Sequence, residues 1–152
     1  MVKTDVVDET DKALIEALQV DGRRPYTKLA ADVGLSEAAV RQRVQRLIDS
    51  GAIQVVAVTD PLTLGFNRQA MIGINAEGDL RTIADEISKI DEVDYVVIVG
   101  GSFDLLAEVV CEDDDHLFEL LNDKIRALPA VRNTETFRYL RLYKQTYAWG
   151  TR

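Results

Sequence analysis

The chain has 152 residues, 47% of them hydrophobic and 29% charged, with 26 acidic against 18 basic side chains and a formal net charge of −8. Such a composition supplies a core and excludes a disordered or fibrous chain, and the length suits one domain or two small ones. The acidic balance, taken over the whole chain, argues against a partner such as nucleic acid or a membrane surface. Cys111 is the single cysteine, which excludes an intramolecular disulfide framework. No apolar run approaches the ~18 residues of a membrane-spanning helix, and the first residues lack the apolar stretch of a signal peptide. An intracellular, cytoplasmic protein with no membrane partner is expected.

The first sixty residues read as helices. Ala13, Leu14, Ala17 and Leu18 recur at helical spacing, with acids at the helix start where the dipole favours them and Asp8 or Thr10 placed to cap it. Asp21-Gly22 stops this helix. A second runs from about Thr27 to Asp32, with Leu29, Ala30 and Val33 buried, and Gly34 ends it. Ser36 caps a third helix from Glu37 to about Ser50, whose apolar stripe is Val40, Val44, Leu47 and Ile48 and which Gly51 closes in a left-handed conformation.

The texture changes beyond Gly51. Residues 53–58 are a β-branched run that fits a wing strand, and Asp60-Pro61 with Leu64-Gly65 reads as a linker. Residues 68–76 alternate Ala70, Ile72 and Ile74 against Met71, Gly73 and Asn75, as a strand does. Leu80, Ile83, Ala84 and Ile87 share one face of a helix over 79–90. Val93 to Val99 is a strand, Gly100 to Phe103 a turn, and Leu105 to Cys111 another strand. Asp113 opens a helix that turns Leu117, Phe118, Leu121 and Ile125 inward, Pro129 ends it, and a last strand covers Val131 to Tyr143. Strand–helix–strand occurs twice, joined by a hairpin, which is the order of the ferredoxin-like sandwich. Its open sheet face carries Phe137, Tyr139, Leu140, Leu142 and Tyr143, more apolar than a wet face needs, so burial against a second chain is expected.

The sharpest local signal is the run from Leu29 to Val40. Small residues where two helices meet, Gly34 for a tight turn and an N-cap starting the next helix are the grammar of a helix-turn-helix, whose second helix enters the DNA major groove. Charge supports it: between Gly22 and Ile48 six bases (Arg23, Arg24, Lys28, Arg41, Arg43, Arg46) face two acids (Asp32, Glu37), a reversal within an acidic chain. Arg41 and Arg46 project opposite the apolar stripe, as phosphate- or groove-facing residues do. A plain three-helix bundle with solvated arginines needs neither the Gly34-Leu35-Ser36 turn nor that reversal.

These residues resemble the Lrp/AsnC (feast/famine) transcription regulators. The similarity rests on Leu35-Ser36, Val40, Arg43-Val44, Arg46-Leu47 and Gly51-x-Ile53, then Asp60-Pro61 and Leu64-Gly65, the Gly101-Ser102-Phe103-Asp104 turn and the Leu128 to Thr136 approach to the last strand. It spans about residues 8 to 143. The resemblance implies an α+β architecture: an N-terminal winged helix-turn-helix (all-α plus a small β wing) over residues 1–60, a linker at 61–67, and a C-terminal ferredoxin-like βαββαβ sandwich over 68–152 for effector binding and oligomerisation. It implies Ser36, Ala38, Arg41, Gln42 and Arg46 as DNA contacts, while Arg43, which matches the family's arginine, either touches DNA or braces the fold. Glu37 is a departure in charge; it caps the helix or accepts from a cytosine amino group. The implied effector site is the loop Gly100, Gly101, Ser102, Phe103 and Asp104 facing Thr134 and Thr136 of a neighbouring subunit. Glycine backbone N–H groups would meet an α-carboxylate, Asp104 an α-ammonium, and the hydroxyls the rest; the alternative is a bare hairpin turn. Phe103 stands where the family's aromatic is commonly Tyr, which removes a hydroxyl.

The remaining candidates are bland. Asp113-Asp114-Asp115-His116 complements a helix dipole and needs no metal. Cys111 ends a buried strand pattern and reads as a core thiol, and Tyr147 and Trp149 read as packing anchors. No nucleophile–base pair, metal cluster or phosphate loop supports an enzyme, and no cofactor is called for. The expected protein is a sequence-specific regulator of transcription. Its partners are double-stranded DNA carrying a pseudo-palindromic operator, a small-molecule effector of the amino-acid class, and copies of itself as a homodimer assembling to an octamer. The alternatives are a non-specific chromatin-like protein and a metabolite-binding module without DNA readout.

Overall fold

A computed structural model describes residues 7–146 and 151, arranged as two compact units. One unit holds the chain up to Val58 together with the segment from Lys144; the other holds residues 59–143. Tyr147 and Trp149, expected as anchors, lie outside the described residues.

The first unit contains α1 (Glu9–Val20), α2 (Tyr26–Val33) and α3 (Glu37–Asp49). Asp8 is the cap of α1, and the cap is reciprocal. The Asp11 backbone N–H donates to Asp8 Oδ1 (2.8 Å) and the Asp8 backbone N–H donates to Asp11 Oδ2 (3.2 Å), so two orphan donors of the helix start are satisfied at once. Gly34, at φ 69°, ends α2 in the left-handed region that favours glycine, and two residues later Ser36 starts α3 by accepting from the Ala39 N–H (3.2 Å). Gly51 likewise stands at φ 74° after α3. Leu14, Leu29, Ala30, Val40 and Val44 form the core of the three helices. Ile48, read as part of the α3 stripe, is more than a third exposed, because it lies about 100° round the helix from the buried Leu47.

The wing is a correction. Residues 53–58, expected as a strand, form no ladder, and Val55, Val56 and Val58 are exposed. A strand exists only by pairing, and the described residues of this unit offer no second strand. Ile53 is tied back, its N–H donating to Leu47 O (3.2 Å) and its side chain packing on the helical core.

The second unit begins with a 3₁₀ turn, Pro61–Leu64, capped by Asp60. It continues through β1 (Arg68–Ala76), α4 (Leu80–Ile87), β2 (Val93–Ile98), β3 (Leu105–Cys111), α5 (Asp114–Glu119) with a π-helical extension Leu120–Ile125, and β4 (Val131–Arg138). The strands form one antiparallel sheet in the order β2-β3-β1-β4, with Ile72 opposite Ala107 on β3 and Thr136 on β4. This is the expected ferredoxin-like order. Ile83, Ile87, Leu117, Leu120 and Ile125 of the helices cover Ala70, Ile72, Ile74, Ala107 and Val109 on one sheet face.

Two expectations shift here. The last strand ends at Arg138 rather than Tyr143; Tyr139 keeps one backbone bond, its N–H to Gln69 O (2.9 Å), and Leu140, Leu142 and Tyr143 are exposed. Phe118, expected inward, is 65% exposed, whereas Leu120 is fully buried. Phe118 lies about 100° round α5 from the buried Leu117, whereas Leu120 stands three residues on, on the same side. The helix then widens into the π-helical turn, in which the Arg126 N–H bonds to Leu121 O five residues back.

At one end of this sandwich Glu92 gathers hydrogen-bonding partners. Its oxygens accept from Lys124 Nζ (2.6 and 2.8 Å) and lie 3.1 Å from His116 Nε2, while His116 Nδ1 accepts from the Glu112 N–H (3.3 Å). Asp113 caps α5 and Asp114 grips Arg68 through two hydrogen bonds (2.5 and 3.1 Å), so these acids serve the fold. Cys111 is buried, and burial pushes its thiol up to about 11. The Lys124 ammonium holds the Glu92 carboxyl down at about 2. A depressed carboxylate stabilises the folded state fully above its ordinary value of 4.5 and loses that contribution as pH falls towards 2, here about 3 kcal/mol in all. Urea denaturation of Glu92→Gln is therefore expected to show a deficit at pH 6 that shrinks progressively below pH 4.5; a pH-independent deficit contradicts the ion pair's role.

Candidate DNA interface and effector loop

The face of α3 turned away from its core is a shallow open groove lined by Ala38, Arg41, Gln42, Gln45, Arg46 and Asp49. Its chemistry follows from position. Val40, Val44 and Leu47 consume the buried side of the helix, so the residues between them project outward. Arg41 is oriented twice: Nη2 donates to Glu37 Oε1 (3.0 Å), and the guanidinium lies 4.6 Å from the centre of the Tyr26 ring. Glu37 thus partners Arg41, while Ser36 Oγ caps the helix. Arg43 turns to the start of α1, with Nη1 donating to Asp8 Oδ2 (2.7 Å) and Asp11 Oδ1 (2.8 Å). Arg46 Nη2 donates to the other oxygen of Asp11 (2.6 Å). The Asp11 and Arg43 hydrogen bonds hold the Asp8 carboxyl below its usual range.

Of the residues singled out from the sequence, Ala38, Arg41, Gln42 and Arg46 share this surface, Ser36 stands at its start, and Arg43 braces α3 against α1. Gln45 was missed; it lines the groove and donates to Asp49 Oδ1 (2.8 Å). Asp11 and Tyr26 were missed as the partners of the arginines. Asp11 carries a legible signal, an acid three residues before Leu14 on the same helix face.

The loop singled out as a candidate effector site, Gly100 to Asp104, is in the second unit. Asp104 ties it to β1: its N–H donates to Ile74 O (3.0 Å), and its Oδ2 accepts from the Ala76 N–H (2.9 Å) where the β1–β4 register shifts. Asn75 Nδ2 donates to Ser102 O (2.8 Å). The Phe103 ring lies on Gly73, where an added Cβ would stand 2.8 Å from ring carbons, and meets Phe137 edge-on at 5.9 Å. Gly100 and Gly101 have no left-handed backbone, and a Cβ added at either would meet no atom within 4 Å, so the fold of this chain alone does not require glycine there. Thr134 and Thr136 belong to β4 opposite Ile74 and Ile72, on the helix-covered side of the sheet, and Thr134 Oγ1 accepts from Arg126 Nε (2.8 Å). Within one chain the loop's ring and these threonines therefore occupy opposite sheet faces. The open face also carries Tyr95, half exposed, and Glu108, which accepts from Gln69 Nε2 (3.1 Å).

Residues 7–48 match the AsnC-type helix-turn-helix domain, and residues 66–152 match the C-terminal dimeric alpha+beta barrel domain of AsnC-type regulators. The chain belongs to the Lrp/AsnC family of transcription regulators. It is 34% identical to the proline dehydrogenase transcriptional activator of Rhizobium radiobacter, over 95% of this chain and 96% of that protein. Among solved structures it matches the leucine response regulatory protein of Mycobacterium tuberculosis (28% identity, TM-score 0.83, 91% of this chain and 95% of that one). It shares its fold with a Neisseria meningitidis transcriptional regulator solved as a complex with L-Met (24%, TM-score 0.81, 92% and 94%). As in other Lrp/AsnC regulators, DNA binding belongs to the helix-turn-helix and dimerisation to the alpha+beta domain. Among the described residues no helix is long and apolar enough to cross a membrane.

The seat of Phe103 is open to test. Gly73→Ala forces the ring to move and is expected to cost about 1–3 kcal/mol of stability, measured by urea denaturation; an unchanged midpoint contradicts the contact.

Proposed function

We propose that this chain is a sequence-specific, non-enzymatic, cytoplasmic regulator whose dimers carry two α3 helices to a pseudo-palindromic operator and whose assembly or DNA affinity responds to a small molecule of the amino-acid class. The observation that carries the DNA reading is the outward row of α3, where arginines and amides stand on a helix seated rigidly on its own core. Arg41 and Gln42, near the helix start, suit base edges, and Arg46 near its end suits the backbone. Two such helices read successive major-groove faces, so half-sites are expected about 34–36 Å apart or at a multiple of that. The second unit, with eight bases against seventeen acids over residues 59–143, leaves DNA to the helical heads.

The effector reading rests on the loop. Gly100 and Gly101 are glycines this chain does not need for its own packing, which suits close approach by a carboxylate or another subunit. Asp104 is anchored through one oxygen to the Ala76 N–H, leaving its charge at the loop to meet an ammonium. The L-Met complex of the Neisseria meningitidis neighbour supports an amino acid as the ligand class. An effector switches the protein only by binding one assembly state better than another, and the association of dimers into an octamer supplies such states.

Fluorescence anisotropy with operator and random duplexes tests the heads. The operator is expected to bind at least ~10³-fold tighter than random DNA, and Arg41→Ala to weaken it about tenfold or more. Equal binding to both duplexes indicates a chromatin-like protein, and an Arg41→Ala variant with full affinity overturns the interface. Thermal-shift screening against the twenty amino acids tests the loop, since a ligand at 100 times its Kd stabilises by about 2.7 kcal/mol. Asp104→Asn keeps an oxygen for Ala76 but removes the charge, and is expected to abolish the shift. A full shift in that variant overturns the site.

A further inference from the structure

The buried carboxylate of Asp11 is unexplained by core packing. It has no exposed surface, sits on the apolar face of α1, and receives guanidinium donors from two residues of α3, Arg43 and Arg46. A buried carboxylate is tolerated only when paired, and a leucine or alanine would fill the site without that requirement. Its partners differ in a way that assigns its role. Arg43 is doubly held, because Asp8 binds the same Nη1 at 2.7 Å. Arg46 among the described residues has Asp11 as its one side-chain partner, and it lines the outward groove with nearly half its side chain exposed.

We infer that Asp11 is a positioning residue for DNA binding: it fixes the Arg46 guanidinium at the edge of the α3 groove as a preset clamp for a backbone phosphate. This rests on the reading of α3 as the DNA-facing helix. One of five N–H donors goes to Asp11, and the planar fork is oriented by that bond. Arg46 is the tenth residue of the thirteen in α3, in the last turn and away from the helix start that reaches base edges. Its guanidinium is drawn back towards α1, away from the groove axis that Gln42 and Gln45 line. It therefore contributes to binding of any duplex and not to the choice among sequences. A flexible arginine must lose rotamer freedom to grip a phosphate, and Asp11 has already removed that freedom on folding.

The test separates position from charge and from stability. Asp11→Asn removes a negative charge from the head, so long-range electrostatics alone would tighten DNA binding. Loss of positioning weakens it instead. A double-mutant cycle by anisotropy on one operator and one random duplex decides. Asp11→Asn is expected to weaken both duplexes about tenfold in the native background and less than twofold in an Arg46→Ala background, and Arg46→Ala to lower the log–log salt slope by about one. An equal loss in both backgrounds assigns Asp11 to fold stability alone, and unchanged or tighter binding assigns it no part in positioning; either overturns the inference. Should Asp11→Asn fail to fold by circular dichroism, Arg46→Lys carries the test, because it keeps the charge and lacks the fork. It is expected to lose at least about fivefold, and native affinity overturns the proposal. A native chain that binds no duplex at all overturns the DNA reading itself.

Discussion

One buried carboxylate holds the helical unit in the arrangement on which everything outward from it depends. Asp11 closes the capping box of α1 and accepts from two arginines of α3, so the same group starts one helix and fixes the rotation of another. Apolar packing among Leu14, Leu29, Val40 and Val44 brings the helices together but specifies their rotation loosely, since it is non-directional. The hydrogen bonds are directional and, inside the core's edge, expensive to leave unmade. The apolar stripe of Val40, Val44 and Leu47 decides which side of α3 is buried, and the polar contact with Asp11 at the rim of that core holds the helix in that rotation.

The second unit answers a different constraint. Four strands with helices on one face leave the other face unsupported, and this chain covers it only in part. Phe103 folds back onto Gly73 and meets Phe137, and Gln69 satisfies Glu108. The burial of the Tyr139 phenol, beside Glu108, pushes its ionisation up to about 12. Tyr95 and Phe137 remain, and such a surface suits the dimeric domain that this part of the chain matches. The Gly100–Asp104 loop closes the hairpin at one end of this face, so a ligand there would sit beside whatever covers the sheet.

Charge is distributed to match. The acidic excess is carried by the second unit, where carboxylates are spent on Arg68, Lys124 and Arg132 and on helix starts. In the helical unit the acids Asp8, Asp11 and Glu37 each hold an arginine of α3. They orient these side chains without removing their remaining donors, and the helix still presents a basic groove in a chain of net charge −8.

Patterns set by near neighbours were open to reading from the residues alone. The caps at Asp8 and Ser36, the stop at Gly34, the alternation over 68–76 and the order of strands and helices all follow from spacing and turn chemistry, because backbone geometry fixes which residues share a face. Four features needed the folded chain. Residues 53–58 have strand composition but no paired strand among the described residues of their unit, and pairing is a property of two segments. Phe118 faces out and Leu120 faces in because the rotation of α5 on the sheet, which adjacent apolar residues leave open, decides which of them is covered. Thr134 and Thr136 fell on the helix side of β4, because register with β1 decides which face a strand residue takes. Lastly, Arg41, Arg43 and Arg46 look alike in sequence, and the approach of α1 and α2 sets them apart: Arg41 lies over Tyr26, Arg43 takes both Asp8 and Asp11, and Arg46 takes Asp11. Charge and periodicity determine that a basic helix exists here; the distances at which other helices arrive determine what each of its arginines is able to do.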